Sequence, residues 1–151
     1  MLSKNTSDTK KIAKDFIKTL LGTPTTKSRK GACVVGLYGE LGAGKTFFTQ
    51  CVAKELGIKQ KITSPTFLII KKYNLKSKIY KLFFHMDAYR LNPPAGGEKE
   101  LLKLGWKDII KNGNNLVFIE WPENVKKVMP KKHHKIKISH TKEGYRKFGI
   151  K

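Results

Sequence analysis

The sequence predicts an α/β fold, with a mainly parallel central sheet flanked by helices and antiparallel strands at its edges, and three observations carry that expectation. The nearly continuous apolar run Cys33-Val34-Val35-Gly36-Leu37-Tyr38 has the pattern of a strand buried on both faces. A glycine-rich loop follows it directly, and beyond the loop Phe47, Phe48, Cys51, Val52 and Leu56 recur at helical spacing. Leu116-Val117-Phe118-Ile119 then repeats the buried-strand pattern and ends in Glu120. The 151 residues suffice for one compact domain, expected to span 1–151.

The remaining elements follow in chain order. Thr6-Ser7-Asp8 supplies capping residues for a first helix, whose apolar positions Ile12, Ala13, Phe16, Ile17, Leu20 and Leu21 lie on one face and which Gly22 ends. Residues 23–31, rich in Pro, Thr, Ser and Lys, read as a surface loop. Gly57 closes the second helix. Thr63-Ser64-Pro65-Thr66 turns into a strand, Phe67-Leu68-Ile69-Ile70, and residues 74–78 separate it from a second run, 79–86, so that the two form a hairpin. Asn92-Pro93-Pro94-Ala95-Gly96-Gly97 is a loop, and Glu98 to Leu104 is a short helix stopped by Gly105. Beyond Pro122 the chain is basic, with Ile136 and Ile138 alternating with lysine in an edge strand and Tyr145 to Ile150 in another. There is neither an internal repeat nor a second domain.

Charge and cysteine content narrow the function classes. Lys and Arg number 32 against 11 Asp and Glu, a net charge of +21. A charge of this size attracts polyanions at long range. Only Arg29, Arg90 and Arg146 are arginine, the side chain that forks onto phosphate, and the lysines are spread evenly, which reads as solvated surface. Direct RNA contact, which the size of the charge allows, is then left open as an accessory role. Cys33 and Cys51 form no Cys-x-x-Cys pair, as expected of a reduced intracellular setting. The chain has no apolar run of membrane-spanning length and no apolar signal core, so the expectation is a soluble cytoplasmic protein.

Gly39-x-x-x-x-Gly44-Lys45-Thr46 is the pattern whose backbone amides wrap a nucleotide's phosphates, with the lysine on the outer phosphates and the hydroxyl on magnesium. Gly42 and Gly44 allow a backbone path closed to larger residues, and the helix starting near Lys45 adds the positive end of its dipole. Strand, loop and helix occur in the required order. Glu40, Leu41, Gly42, Ala43, Gly44, Lys45, Thr46 and Phe47 are therefore expected to hold ATP with Mg²⁺.

A carboxylate at the carboxyl end of a neighbouring strand is needed for the metal. Glu120 is the candidate, with Glu123 a lower-ranked competitor. Asp87 either serves the metal or the attacking water, or pairs with Arg90 in a turn. His85 reads as structural, Thr63-Ser64-Pro65-Thr66 either as a switch-like loop of hydroxyls or as a plain proline turn, and Trp121 as a packing residue. His133, His134 and His140 have no metal-site spacing with cysteine.

Taken together, Leu37-Tyr38-Gly39-Glu40-Leu41-Gly42-Ala43-Gly44-Lys45-Thr46, Ser64-Pro65-Thr66-Phe67, His85-Met86-Asp87-Ala88-Tyr89-Arg90-Leu91 and Ile119-Glu120-Trp121-Pro122-Glu123 resemble the TsaE family, small P-loop ATPases of bacterial tRNA threonylcarbamoyladenosine synthesis. The resemblance runs from the first helix to about residue 130, with a Gly144…Arg146 pattern beyond. It implies a P-loop NTPase fold and hydrolysis of ATP, with Thr46 and Glu120 on Mg²⁺ and Asp87 on the metal or the water. It gives Trp121 a role beyond packing, makes the loop of Thr66 switch-like, and places residues around Thr6 to Thr9 and Gly144 to Arg146 near the adenine. The implied partners are TsaB- and TsaD-type proteins, which stimulate hydrolysis, with tRNA at one remove. The Pro93-Pro94-Ala95-Gly96-Gly97 segment and the +21 charge depart from the family pattern.

Two other classes compete. A small-molecule or nucleotide kinase shares the loop but needs mobile arginines, and only Arg90 and Arg146 lie downstream of it. A basic RNA-binding module would keep the loop as structure alone, which the intact set Lys45, Thr46, Asp87 and Glu120 opposes. A regulatory GTPase lacks its Asn-Lys-x-Asp stretch here.

Overall fold

The computed structural model describes residues 1–22, 30–63, 69–91 and 96–151. In β2 (Cys33–Tyr38) and β5 (Asn115–Glu120), which pair in parallel, successive side chains enter two different cores. Val35, Leu37, Leu116 and Phe118 meet Phe16 and Ile17 of α1 (Thr6–Gly22) and Phe48 and Val52 of α2 (Lys45–Glu55). Val34, Val117 and Ile119 meet Leu101 of α3 (Gly97–Lys103) and Trp106 of α4 (Trp106–Lys111). Burial on both faces is why these two runs are continuously apolar rather than alternating.

The remaining strands are β1 (Leu2–Ser3), β3 (Ile70–Asn74), β4 (Leu82–Asp87), β6 (His134–His140) and β7 (Arg146–Ile150). All seven form one sheet in the order β1-β7-β6-β2-β5-β4-β3. Its centre, β6-β2-β5-β4, is parallel, whereas β3, β7 and β1 join antiparallel. The expected mixed sheet is present, and β3 and β4 form a hairpin as expected, although β3 runs from Ile70 to Asn74, later in the chain than the run expected, and the connection falls at 75–81. Residues 64–68 of the turn and first strand, and Asn92 to Ala95 of the loop, lie outside the described residues. Gly57 ends α2 as expected: at φ +79° its N–H meets the Lys54 carbonyl at 3.0 Å, and the Ile58 N–H meets that of Ala53 at 3.0 Å.

One expectation needs correction. The Ile136/Ile138 strand is not an edge strand: β6 lies inside the sheet between β2 and β7, and β7 is itself covered by β1. Ile136 and Ile138 are buried against α1 and α2, but among the described residues no α-helix packs on the opposite face of β6, and Lys135 and Lys137 are exposed there. An internal strand covered on one side only carries the same alternation as an edge strand. β1, α4 and the 3₁₀ segment Pro122–Val128 were not anticipated. Among the described residues no helix is long and apolar enough to cross a membrane.

Candidate nucleotide-binding site

The carboxyl ends of β2, β4 and β5 lie side by side, and in open parallel sheets this is where ligands bind. The register sets Asp87 of β4 directly opposite Glu120 of β5, and Glu120 opposite Leu37, two residues before the glycine loop. Phe83, His85 and Asp87 share the strand face that looks towards α2, as do Leu116, Phe118 and Glu120 by the same alternation. Two acidic side chains from distant parts of the sequence are thereby delivered to the first turn of α2.

The loop before α2 has the conformation its glycines allow. Gly39 sits at φ +142°, and a Cβ there would fall 2.2 Å from the Ile138 carbonyl oxygen. Gly39→Ala is therefore expected to push the loop off β6 and to cost about 2 kcal/mol or more in urea unfolding. A wild-type midpoint in that variant would contradict the close approach. Gly44, at φ +102°, immediately precedes α2, and a Cβ there would press on Arg146 at 3.1 Å.

Lys45, 4% exposed, donates from Nζ to the Gly39 carbonyl at 2.6 Å and the Glu40 carbonyl at 2.9 Å, and lies 3.8 Å from the centre of the Trp121 ring. Burial lowers the pKa of its ammonium, and the carboxylates of Glu120, Glu123 and Asp87 oppose that shift. Trp121 reaches this position because it takes up a left-handed backbone at φ 58°, strained for a bulky residue, as the chain leaves β5. The same turn lets its N–H donate to the Leu37 carbonyl at 3.3 Å and sets its ring 5.1 Å from that of Tyr89.

Glu120 is 3% exposed and fully engaged. The Thr46 hydroxyl donates to its two oxygens at 2.9 and 3.1 Å, and His85 Nε2–H donates to Oε1 at 2.8 Å. His85 is completely buried, and its Nδ1 has no hydrogen-bond partner among the described residues. The sequence reading left His85 structural; its contact is with the site carboxylate, and the signal available was its i, i+2 spacing from Asp87 on one strand face. Asp87, 8% exposed, accepts from the Tyr89 N–H at 2.9 Å.

Leu41 to Thr46, Asp87, Tyr89, Glu120 and Trp121 enclose a cleft of about 320 Å³. Of the anticipated residues, Glu40 lies on its rim with its carbonyl on Lys45, and Phe47 packs into the α1/α2 core. Arg146 Nε–H donates to the Ala43 carbonyl at 3.1 Å, so it braces the glycine loop directly. Thr9 is buried, its hydroxyl 2.7 Å from that of Ser3, the residue paired with Arg146 across β1 and β7. Thr66 lies outside the described residues. Glu123 is exposed in the 3₁₀ segment and does not line this cleft. A larger, more apolar cleft, bordered by Ile12, Phe16, Cys33 and Tyr80, lies at the amino end of β2, away from the glycine loop.

The donor set suits a magnesium nucleotide. A hydroxyl and two carboxylates are hard oxygen ligands, and Mg²⁺ is commonly held by one or two carboxylates together with substrate phosphates. Backbone amides at the start of α2 and the Lys45 ammonium suit the phosphates themselves.

Residues 3–148 match the family described as threonylcarbamoyl adenosine biosynthesis protein TsaE. The tRNA threonylcarbamoyladenosine biosynthesis protein TsaE of Bacillus subtilis is 36% identical over 134 residues, covering 89% of this chain and 73% of the relative. That of Haemophilus influenzae is 33% identical, covering 80% and 68%, and that of Treponema pallidum is 32% identical, covering 85% and 89%. The crystal structure of Bacillus subtilis YdiB aligns with a TM-score of 0.70 at 27% identity, covering 99% of this chain and 82% of YdiB. With its P-loop α/β fold and a match running through nearly the whole sequence, the chain belongs to the TsaE family of tRNA threonylcarbamoyladenosine biosynthesis proteins.

Proposed function

We propose that the chain binds ATP with Mg²⁺ in the 320 Å³ cleft and hydrolyses it to ADP and phosphate, in the service of a TsaB–TsaD-type complex in the cytoplasm. The observation that carries this reading is the convergence of Lys45, Thr46, Asp87 and Glu120 on one point at the start of α2.

The amides of residues 42–46 would hold the phosphate oxygens, and Lys45 would exchange its two loop carbonyls for the outer phosphates. Thr46 and Glu120 would hold the metal, with Asp87 beside them for the metal or for orienting the attacking water. Mg²⁺ held there would supply charge neutralisation for the phosphates. Without it, the buried Glu120 carboxylate is supported by the hydrogen bonds from His85 and Thr46. Trp121, stacked under Lys45, closes the cleft on the side of β5 and confines the path of that ammonium.

The test is ATP hydrolysis by the purified protein, alone and with a matched TsaB–TsaD complex. Stimulation by the complex supports the reading. ATP binding with no stimulation removes the partner role, and transfer of phosphate to an acceptor other than water makes the protein a kinase.

A further inference from the structure

The uncovered face of the sheet is neither flat nor neutral. Beside the glycine loop, a groove of about 1070 Å³ runs along β6 under the 3₁₀ segment and the chain that follows it. Lys126, Lys131, Lys135, Lys137 and Lys151 line it, against the acids Glu40 and Glu123. The lysines are all exposed. Both acids belong to its loop end, one in the glycine loop and the other just after Trp121, so the β6 and β7 side is lined by lysine without opposing acid.

Three features give this groove a shape as well as a charge. Lys135 and Lys137 project from the same face of one strand, roughly 6.6 Å apart along it, a spacing on the order of that between successive phosphates of a nucleic acid strand. Opposite Lys137, β7 places Gly149, where a Cβ would meet nothing nearer than 4.0 Å. Packing within the chain therefore does not require glycine there, and its effect is a low floor; strand glycines often mark close approach by a ligand. Finally, the Tyr38 and His133 rings stack with centroids 6.4 Å apart at 24°. His133 Nδ1–H donates to the Pro130 carbonyl at 2.7 Å, which leaves Nε2 to accept the Tyr38 hydroxyl at 2.9 Å and fixes both rings on the groove wall. A Cβ on Gly36 beneath them would press on both Tyr38 and Pro122 at 3.1 Å.

We propose that this groove binds RNA, with Lys131, Lys135, Lys137 and their neighbours on successive phosphates and the Tyr38–His133 ledge against an unpaired base. Lysine rows beside aromatic platforms are the means by which single-stranded segments are held without sequence readout. A concave channel fits a strand better than it fits a planar membrane surface. The proposal is independent of ATP hydrolysis, since it uses none of the residues assigned to the nucleotide. It does connect with that site, because Leu41 and Trp121 border both the groove and the nucleotide cleft.

The experiment is fluorescence anisotropy with a labelled, unmodified tRNA transcript across roughly 50–200 mM salt. Wild type should bind with a log–log salt slope of about −3, corresponding to about four phosphate contacts on a single-stranded segment. The triple variant Lys131→Gln/Lys135→Gln/Lys137→Gln should weaken binding at least about tenfold and flatten the slope by about 2. A control of equal charge change on the far side of the molecule, Lys10→Gln/Lys14→Gln/Lys18→Gln on α1, should change affinity less than about threefold. Gly149→Leu, which alters no charge, should also weaken binding, and it carries the test alone should the triple variant lose its fold. Equal weakening by the two triple variants, an unaffected Gly149→Leu, or binding to phosphatidylserine vesicles or polyglutamate but not to the transcript would each overturn the proposal. Lys45→Ala should bind the transcript as wild type does, which separates this outcome from the fate of the ATPase reading.

Discussion

Lys45→Ala should bring partner-stimulated ATP hydrolysis down by about 10²–10³-fold or more, the range seen when one preorganised electrostatic donor is removed from a phosphoryl or oxyanion site. Among the described residues the side chain is the one ammonium lining the cleft, where on the proposed reading it faces the phosphates beside Glu120 and Asp87. Fold should survive the change. Burial lowers the Lys45 pKa in the folded protein below its unfolded value. Its charge therefore costs stability at neutral pH, and that cost fades only as pH rises through the folded value. Loss of the two hydrogen bonds to the Gly39 and Glu40 carbonyls works in the other direction, so unfolding free energy at pH 7 should stay within about 1 kcal/mol of wild type. Hydrolysis with the partner complex and urea unfolding measure the two quantities. Undiminished hydrolysis would remove Lys45 from the mechanism.

Glu120 should give the second large effect, and two substitutions separate its roles. Glu120→Gln keeps an acceptor for Thr46 and His85 but removes the charge, so hydrolysis should fall about 10²-fold or more while stability changes little. Glu120→Ala also leaves the buried Nε2–H of His85 unpaired, in a ring whose Nδ1 already has no partner among the described residues. That variant should lose about 1–3 kcal/mol of unfolding free energy in addition to activity. A magnesium titration of ATP binding distinguishes metal loss from a general defect. If Glu120→Gln hydrolyses ATP as wild type does, the metal carboxylate is Asp87 or lies elsewhere.

Much of this molecule is legible along the chain because its requirements are local. Buried strand runs, the helix that follows the glycine loop, and Gly57 at the end of α2 each depend on a few neighbouring residues. The pattern from Gly39 to Thr46 specifies the glycine loop and the helix start after it before any tertiary contact forms, since glycine conformations and helix-start amides are set by residues next to one another. The four motifs in their order also sufficed to name the family. The β6 strand shows where this reasoning stops: alternation reports which faces are buried, not how many strands flank the strand, so an internal strand with one bare face looked like an edge.

What only the tertiary structure decided is which distant groups meet. The β4–β5 register sets Asp87 beside Glu120, and the same sheet turns His85 from a lone histidine into the donor that holds the Glu120 carboxylate. The left-handed turn at Trp121 brings an indole under Lys45, and β7 brings Arg146 back across the chain to the Ala43 carbonyl. Five of the lysines read in sequence as evenly scattered meet along one groove, brought together by the pleat of β6, the return of the last strand and the segment that follows Trp121. Strand register and crossover connections are fixed by long-range pairing and core burial, quantities that no short window of sequence contains. The sequence therefore determined the glycine loop and the order of the elements, and the packed sheet determined which side chains share that loop.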